Sequence, residues 1–248
     1  MEPYYSDDAV TLYLGKMEDV LPSLQLQTDA IVTDPPYGET SLGWDKWPEG
    51  WPSLVAAWTN SMWCFGSLRM FARTWDEFAG WKLSQDVIWE KQAGSGFAAD
   101  RFKRVHEIAV HFYRGEWRQV YHQAVREAYH GPDKHPRVST SKTPHTGEIG
   151  GNNYEDDGTR LVRSVIKARN LHGRAIHPTE KPAAILAPLI EYAVPVGGIV
   201  LDPFAGSAST LLTARTLGRR AIGVEGYEPY CEAAAKRLDV PDLFGSAA

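Results

Sequence analysis

The feature that most restricts how this chain can fold is a repeated change of rhythm, in which short apolar runs alternate with segments of helical period. The runs are VTLYL at 10–14, AIVT at 30–33, SMWCF at 61–65, DVIWE at 86–90, EIAVHF at 107–112, IVL at 199–201 and AIGV at 221–224. Helix-period segments fall near 17–26, 51–60, 67–80, 182–194, 208–217 and 228–238. A strand with one wet face alternates apolar and polar residues, whereas a strand covered on both faces is apolar throughout. Alternation of covered strands with helices therefore predicts an α/β class, a doubly wound and largely parallel sheet of seven strands. Pro188 falls inside the 182–194 segment and predicts a kink there.

The rhythm fails between about 115 and 175, where "SKTPHTGEIGGNNYEDDGTR" at 141–160 has no hydrophobic period. Loops of this length inside a compact domain are functional or disordered. Charge changes over the same region. Residues 1–60 hold two lysines against ten acids, a net of −8, while residues 98–174 hold fourteen Lys/Arg against nine acids, a net of +5. The predicted organisation is one domain in two halves, 1–114 and 176–248, with a loop-rich recognition insertion at 115–175. A basic face on an acidic body suits a polyanion, although on charge alone a solvated loop region fits as well.

Composition narrows the setting. Two cysteines, Cys64 and Cys231, form neither a disulfide framework nor a zinc cluster, and Cys64 in its apolar run reads as core. No apolar run approaches the roughly 20 residues of a membrane helix, and the amino terminus lacks the basic-then-apolar pattern of a secretion signal. The expectation is a reduced, cytoplasmic protein with no membrane partner. His111, His122, His130, His135 and His145 lack ligand spacing; they read as surface or loop residues, and no metal is expected.

Two stretches carry chemistry. In "IVLDPFAGSASTLLTARTLGRRAIGVE" at 199–225, a strand ends in Asp202, a small-residue turn follows, a helix runs to Leu217, and the next strand ends in Glu225. Small residues let a ligand approach the backbone, and the helix start offers free N–H groups. Glu225, 19 residues after Gly206, is placed to accept hydrogen bonds from ribose hydroxyls. The turn lacks the G-x-G-x-x-G of pyrophosphate binders, so an adenosine ligand without a diphosphate fits better than a dinucleotide. A tight strand–helix turn with no ligand reads the same way. The second stretch, Asp34-Pro35-Pro36-Tyr37, ends the 30–33 strand. Asp34 can accept from an amino group, the prolines donate nothing and stiffen the turn, and Tyr37 offers a ring for stacking. A plain Asp-Pro turn with a packing tyrosine remains open. Ligands of open α/β sheets lie beyond the carboxyl ends of the strands, so Asp34, Asp202 and Glu225 should face one crevice.

Asp34-Pro35-Pro36-Tyr37 together with Asp202-Pro203-Phe204-Ala205-Gly206-Ser207 resembles the S-adenosylmethionine-dependent amino-methyltransferases of DNA. The order of the two motifs, with "HPTEKP" at 177–182 between them, is similar to the permuted β group of that family. The resemblance implies a seven-stranded, Rossmann-like methyltransferase sheet and S-adenosyl-L-methionine as cofactor. It places 202–207, Glu225, His177, Thr179 and Lys181 around the cofactor and 34–37 around the target base. It also implies double-stranded DNA as partner, with Arg101, Lys103, Arg104, Arg114, Arg118 and Arg126 as candidate phosphate contacts; a homodimer is allowed. The D-P-P-Y form goes with adenine N6, the S-P-P-Y form with cytosine N4. An RNA-base or glutamine methyltransferase, or a catalytically silent DNA-binding relative, are the competing readings. Two positions depart from the family: Ala208 stands where a second glycine is usual, and Lys16 where an acid generally receives the adenine amino group.

Overall fold

The computed structural model describes residues 1–24, 27–95, 100–129, 157–169 and 180–240. The chain divides into two compact units, residues 1–123 with 164–248, and residues 124–163. The strands in chain order are β1 (Tyr5–Ser6), β2 (Val10–Leu14), β3 (Ala30–Thr33), β4 (Ser61–Gly66), β5 (Lys82–Ser95), β6 (Arg104–Tyr113), β7 (Arg126–Ala128), β8 (Thr159–Leu161), β9 (Val165–Ala168), β10 (Ile199–Asp202) and β11 (Arg220–Glu225). In the smaller unit β7 and β8 pair antiparallel, with Arg126 opposite Leu161.

The other nine strands form one sheet in the order β1-β2-β11-β10-β3-β4-β6-β5-β9. From β2 to β4 neighbours run parallel. Only β6, antiparallel to both β4 and β5, and the edge strand β1 reverse direction. All seven expected strands are present, with β1 and β9 added at the edges. Those two had no signal to read: β1 has two residues, and three of the four residues of β9 are partly or fully exposed. The sheet places β2, from the start of the chain, beside β11, from its end. The permuted order therefore leaves the architecture continuous.

Winding on both faces is visible residue by residue. Val200, Val32, Trp63 and Phe65 pack into one core with α4 (Ala183–Ala193), α5 (Ser209–Thr216) and α6 (Glu228–Leu238). Their strand neighbours Leu201, Ile31, Met62 and Cys64 pack into a second core with α1 (Met17–Val20), α2 (Trp51–Val55) and α3 (Leu68–Thr74). Both faces being apolar is why the runs do not alternate. Helix α4 buries Ile185, Leu186, Leu189, Ile190 and Ala193, one stripe at helical spacing, and continues past Pro188. The first helix is shorter than its 17–26 segment because Pro22 lacks an N–H and sits in a 3₁₀ turn at Leu21–Ser23. Connections diverge between β10 and β3: the chain leaves β10 through α5 toward β11, and leaves β3 through α2 toward β4. That divergence opens a crevice at the carboxyl ends of both strands.

Candidate active site

One wall of the crevice is the turn between β10 and α5. Asp202 ends β10 and is buried; its Oδ1 accepts from Thr33 Oγ1 at 2.7 Å and from the Phe204 N–H at 3.1 Å. Burial pushes its carboxyl up to about 6, against the hydrogen bonds from Thr33, Thr210 and Phe204. Glu225 ends β11 and accepts from the Gly206 N–H and the Tyr227 N–H, each at 2.8 Å. Burial raises this carboxyl too, while those N–H groups oppose the rise. Gly223 permits the arrangement: a Cβ there would meet Leu211 at 2.6 Å and Ala205 at 3.0 Å, so α5 could not press so close to β11. Phe204 turns to the other face and meets Trp51 edge-on at 5.4 Å. Ala208 adopts φ 58° and ψ 28°, the only non-glycine with positive φ among the described residues. The turn thus holds a left-handed position where a glycine would be unstrained.

The other wall is the segment after β3. The Tyr37 hydroxyl donates to Asp34 Oδ1 at 2.5 Å, and Lys181 donates to Asp34 Oδ2. Lys181, only 6% exposed, also lies 3.2 Å from Glu107 Oε2, and Lys91 pairs with the other Glu107 oxygen. The result is an alternating ladder of buried charge, Lys91, Glu107, Lys181 and Asp34. Burial raises the Asp34 carboxyl; Lys181 opposes this and Glu107 adds to it. Burial alone would raise Glu107 as well, but Lys181 and Lys91 outweigh it and hold that carboxyl at about 2. Lys181 remains above its usual range because Asp34 and Glu107 outweigh its desolvation. The loop beyond Tyr37 is ordered by Asp45, which accepts from the N–H groups of Gly38, Glu39 and Thr40 at 2.7–3.0 Å. Arg73 donates to the Tyr37 carbonyl, and Ser67 to Glu39 at 2.5 Å.

The structure brings Asp34, Tyr37, Lys181, Asp202 and Glu225 to one end of the sheet. Asp202 and Asp34 are linked through Thr33, whose hydroxyl bonds Asp202 from the residue beside Asp34. Lys181 meets Asp34, a partner that its expected place near a cofactor did not suggest. Glu107, Lys91, Asp45 and Arg73 were not singled out from sequence; the one available signal was Glu107, a lone acid opening an apolar run. His177 and Thr179 lie outside the described residues. Arg101 and Lys103 lie between β5 and β6 and Arg104 opens β6, all at the same end of the sheet, where Arg104 approaches Glu39 at 3.6 Å and Arg101 pairs with Asp100. Arg114 sits at the opposite end: its N–H bonds Asn60, before β4, and its guanidinium donates to the Ala56 carbonyl at 2.6 Å. Arg118 is exposed in the following turn, Trp117–Gln119. Arg126 belongs to the smaller unit, bonded to Thr159 at 2.6 Å and paired with Asp157 at 3.3 Å.

The expectation that the histidines are surface or loop residues fails for His111, which is fully buried in β6. Its Nε2 meets Ser61 Oγ at 3.0 Å and its ring packs on Trp63 at 4.7 Å. Burial pushes its pKa down to about 3, so it is neutral in the core. Among the described residues no group of His, Cys, Asp or Glu could hold a metal ion, and no helix is long and apolar enough to cross a membrane.

Comparison with known proteins shows the family and the fold. The family model for DNA methylases of the N6/N4 type matches residues 28–236. The type II methyltransferase M.ScaI of Streptomyces caespitosus is 28% identical over 263 aligned positions, covering 96% of this chain and 84% of that protein. Among solved structures, the M1.HpyAVI–SAM complex superposes with a TM-score of 0.61 at 23% identity, covering 92% of this chain and 100% of its own. The PvuII DNA methyltransferase, specific for cytosine N4, gives 0.64 at 17% identity, covering 98% of this chain and 90% of its own. At these identities the two structures speak to the fold.

Proposed function

We propose, from the premise that this chain belongs to the DNA methylase family of N6/N4 amino-methyltransferases, that it methylates the N6 amine of adenine in double-stranded DNA. The methyl donor of the family is S-adenosyl-L-methionine. The residues fit that group on chemical grounds. Asp202 and Glu225 take their hydrogen bonds from hydroxyl and backbone N–H donors and are raised by burial. A ligand carrying positive sulfonium and ammonium charge relieves that cost, whereas a diphosphate would increase it. Glu225, held by two N–H groups, keeps lone pairs for ribose hydroxyls, and 202–207 line the cofactor's side of the crevice.

The observation that carries the reading is that a carboxylate, Asp34, stands across one crevice from this turn, followed by two prolines and an aromatic ring. Bound there, the cofactor supplies an electrophilic methyl group. An exocyclic amine is a poor nucleophile because its lone pair is spread into the ring; donation of its N–H groups to Asp34 and the Pro35 carbonyl frees that pair. Asp34 would then take up the proton shed by the methylated nitrogen and pass it to solvent. The residues act by positioning and by stabilising developing charge. A base in a duplex cannot reach this crevice, so it flips out and stacks on Tyr37. Arg101, Lys103 and Arg104, beside an open groove lined by Leu68, Arg69, Ala72 and His106, offer the phosphate contacts at this end of the sheet. Arg114, at the opposite end, is left out of that interface, and Arg118 and Arg126 go with the 115–175 recognition element.

The carboxylate form of the motif, Asp34 rather than serine, is what favours adenine over cytosine. Mixed-sequence DNA incubated with tritiated S-adenosylmethionine and digested to nucleosides should yield labelled N6-methyladenine. Label in N4-methylcytosine would overturn the base assignment, and an unlabelled digest would overturn the activity.

A further inference from the structure

The buried charge ladder lies partly outside everything the proposed reaction uses. Lys181 comes from the segment before α4, Glu107 from β6 and Lys91 from β5; Lys181 meets Asp34, Glu107 meets Lys181 and Lys91 meets Glu107, a chain of contacts between residues far apart in sequence. Each member is largely buried, with side-chain exposures of 6% for Lys181, 14% for Glu107 and Lys91, and 19% for Asp34. Charged groups taken out of water persist only when paired, and losing one partner is strongly destabilising to the other. The ladder is electrically balanced, two cations against two carboxylates. Aromatic faces complete its lining: Lys181 lies 5.2 Å from the Phe65 ring centre and Lys91 4.7 Å from that of Trp89.

We infer that Lys181 is a positioning residue for Asp34 and not a ligand of the cofactor: it anchors Oδ2, so that Oδ1 faces the target amine, and Glu107, braced by Lys91, holds Lys181 in place. This rests on the reading of Asp34 as the acceptor of the amine. In the free protein the Tyr37 hydroxyl occupies Oδ1. Arrival of the base replaces one donor at that oxygen with another and leaves the Lys181 contact untouched. An ammonium on Oδ2 also makes the carboxylate a weaker base, which keeps it ionised to accept from the amine and favours passing on to solvent a proton that it has taken up.

The test uses the full chain and single-turnover methylation of duplex DNA across pH, with cofactor affinity measured separately by calorimetry. Asp34 must be ionised to accept, so the rate falls on the acid side as Asp34 protonates. Lys181→Met removes the opposing cation and should move that acid limb up by about one pH unit or more. Glu107→Gln removes a like charge and should move it down. At neutral pH, Lys181→Met should slow the step by roughly thirtyfold or more, with the cofactor Kd changed by less than about threefold, and Lys181→Arg should recover most of the rate. A lysine that merely supported the fold would not move the limb in opposite directions in the two variants. Limbs that stay fixed or move together overturn the inference, as does a Lys181→Met protein with normal rate and weakened cofactor binding. If Lys181→Met does not fold, the direction of the limb in Glu107→Gln decides. Wild-type protein that leaves DNA unmethylated refutes the proposed function instead, which separates the two failures.

Discussion

The two walls of the crevice are built by opposite strategies. On the β10–α5–β11 side all but one of the partners are nearby: Gly206 and Tyr227 bond Glu225 across 19 and two positions, and Phe204 bonds Asp202 across two, the exception being Thr33, which reaches Asp202 from 169 positions away. On the Asp34 side the chain supplies only Tyr37 locally, and Lys181 arrives from 147 residues away. A site made of neighbours is assembled by one supersecondary unit, whereas a site made of distant residues exists only when the whole sheet is in register. The difference predicts that the first wall controls how tightly a ligand is held, and the second what happens to it.

The sharpest break of that comparison is Asp34→Ala. It should lower methyl transfer by roughly a thousandfold or more while the cofactor Kd changes by less than about threefold, because the lost interaction is with the amine in the transition state. Calorimetry and single-turnover kinetics on one preparation check both halves, and comparable losses in both would merge the two walls into one functional unit. Next in size is Glu225→Gln. A neutral amide is a poorer acceptor, and charge-assisted hydrogen bonds contribute about 1.5–3 kcal/mol, so the cofactor Kd should rise roughly tenfold or more. An unchanged Kd would remove Glu225 from the ribose.

These strategies also decide what could be read without coordinates. The local wall is written contiguously in 199–225, so spacing alone placed Asp202, the turn and Glu225 at the ends of adjacent strands. All seven apolar runs became strands, and the central ones at 30–33, 61–65 and 199–201 did so because burial on both faces demands just that composition; Ile31 and Val32 pointing into different cores is the direct proof. The Lys91–Glu107–Lys181 ladder had no such signal, since nothing in the spacing of 91, 107 and 181 reveals that β5, β6 and the approach to α4 meet. His111 was misread for a related reason. A polar residue in an apolar run is exposed or satisfied in the core, and only the position of Ser61 on β4 opposite the end of β6 decides which.

A smaller effect concerns the electrostatic cost stored in the local wall. The Asp202 pKa of about 6 in the folded protein lies above its ordinary value of 3.8. The folded state therefore holds this proton more tightly, and its stabilising contribution is complete below pH 4 and is lost as pH rises from about 4 to about 6. Asp202→Asn keeps an oxygen for Thr33 and the Phe204 N–H, and its amide can donate to Thr210. It should stabilise the ligand-free protein by on the order of 1–3 kcal/mol at pH 7.5, with the advantage vanishing near pH 3.5. Denaturant midpoints at the two pH values give the answer; a gain that is equal at both would mean that charge burial is not its source.

The smallest expected effect is at Ala208, and its smallness is itself informative. A left-handed φ of 58° strains an L-residue by roughly 1–2 kcal/mol, which Ala208→Gly removes. Against that, glycine loosens the unfolded chain by about 0.4–1 kcal/mol. The buried methyl, with no exposed surface in the core of α4, α5 and α6, contributes about 0.8 kcal/mol more. The three contributions nearly cancel, so the melting temperature should move by no more than about 4 °C in either direction. A rise well beyond that would show that strain dominates and that the turn is held open against its own preference by α5 and β11. A fall well beyond it would show that the methyl is a packing element the wall requires. Either result would make the local wall depend on its surroundings as heavily as Asp34 depends on Lys181, and the contrast between the two walls would then be one of sequence distance only.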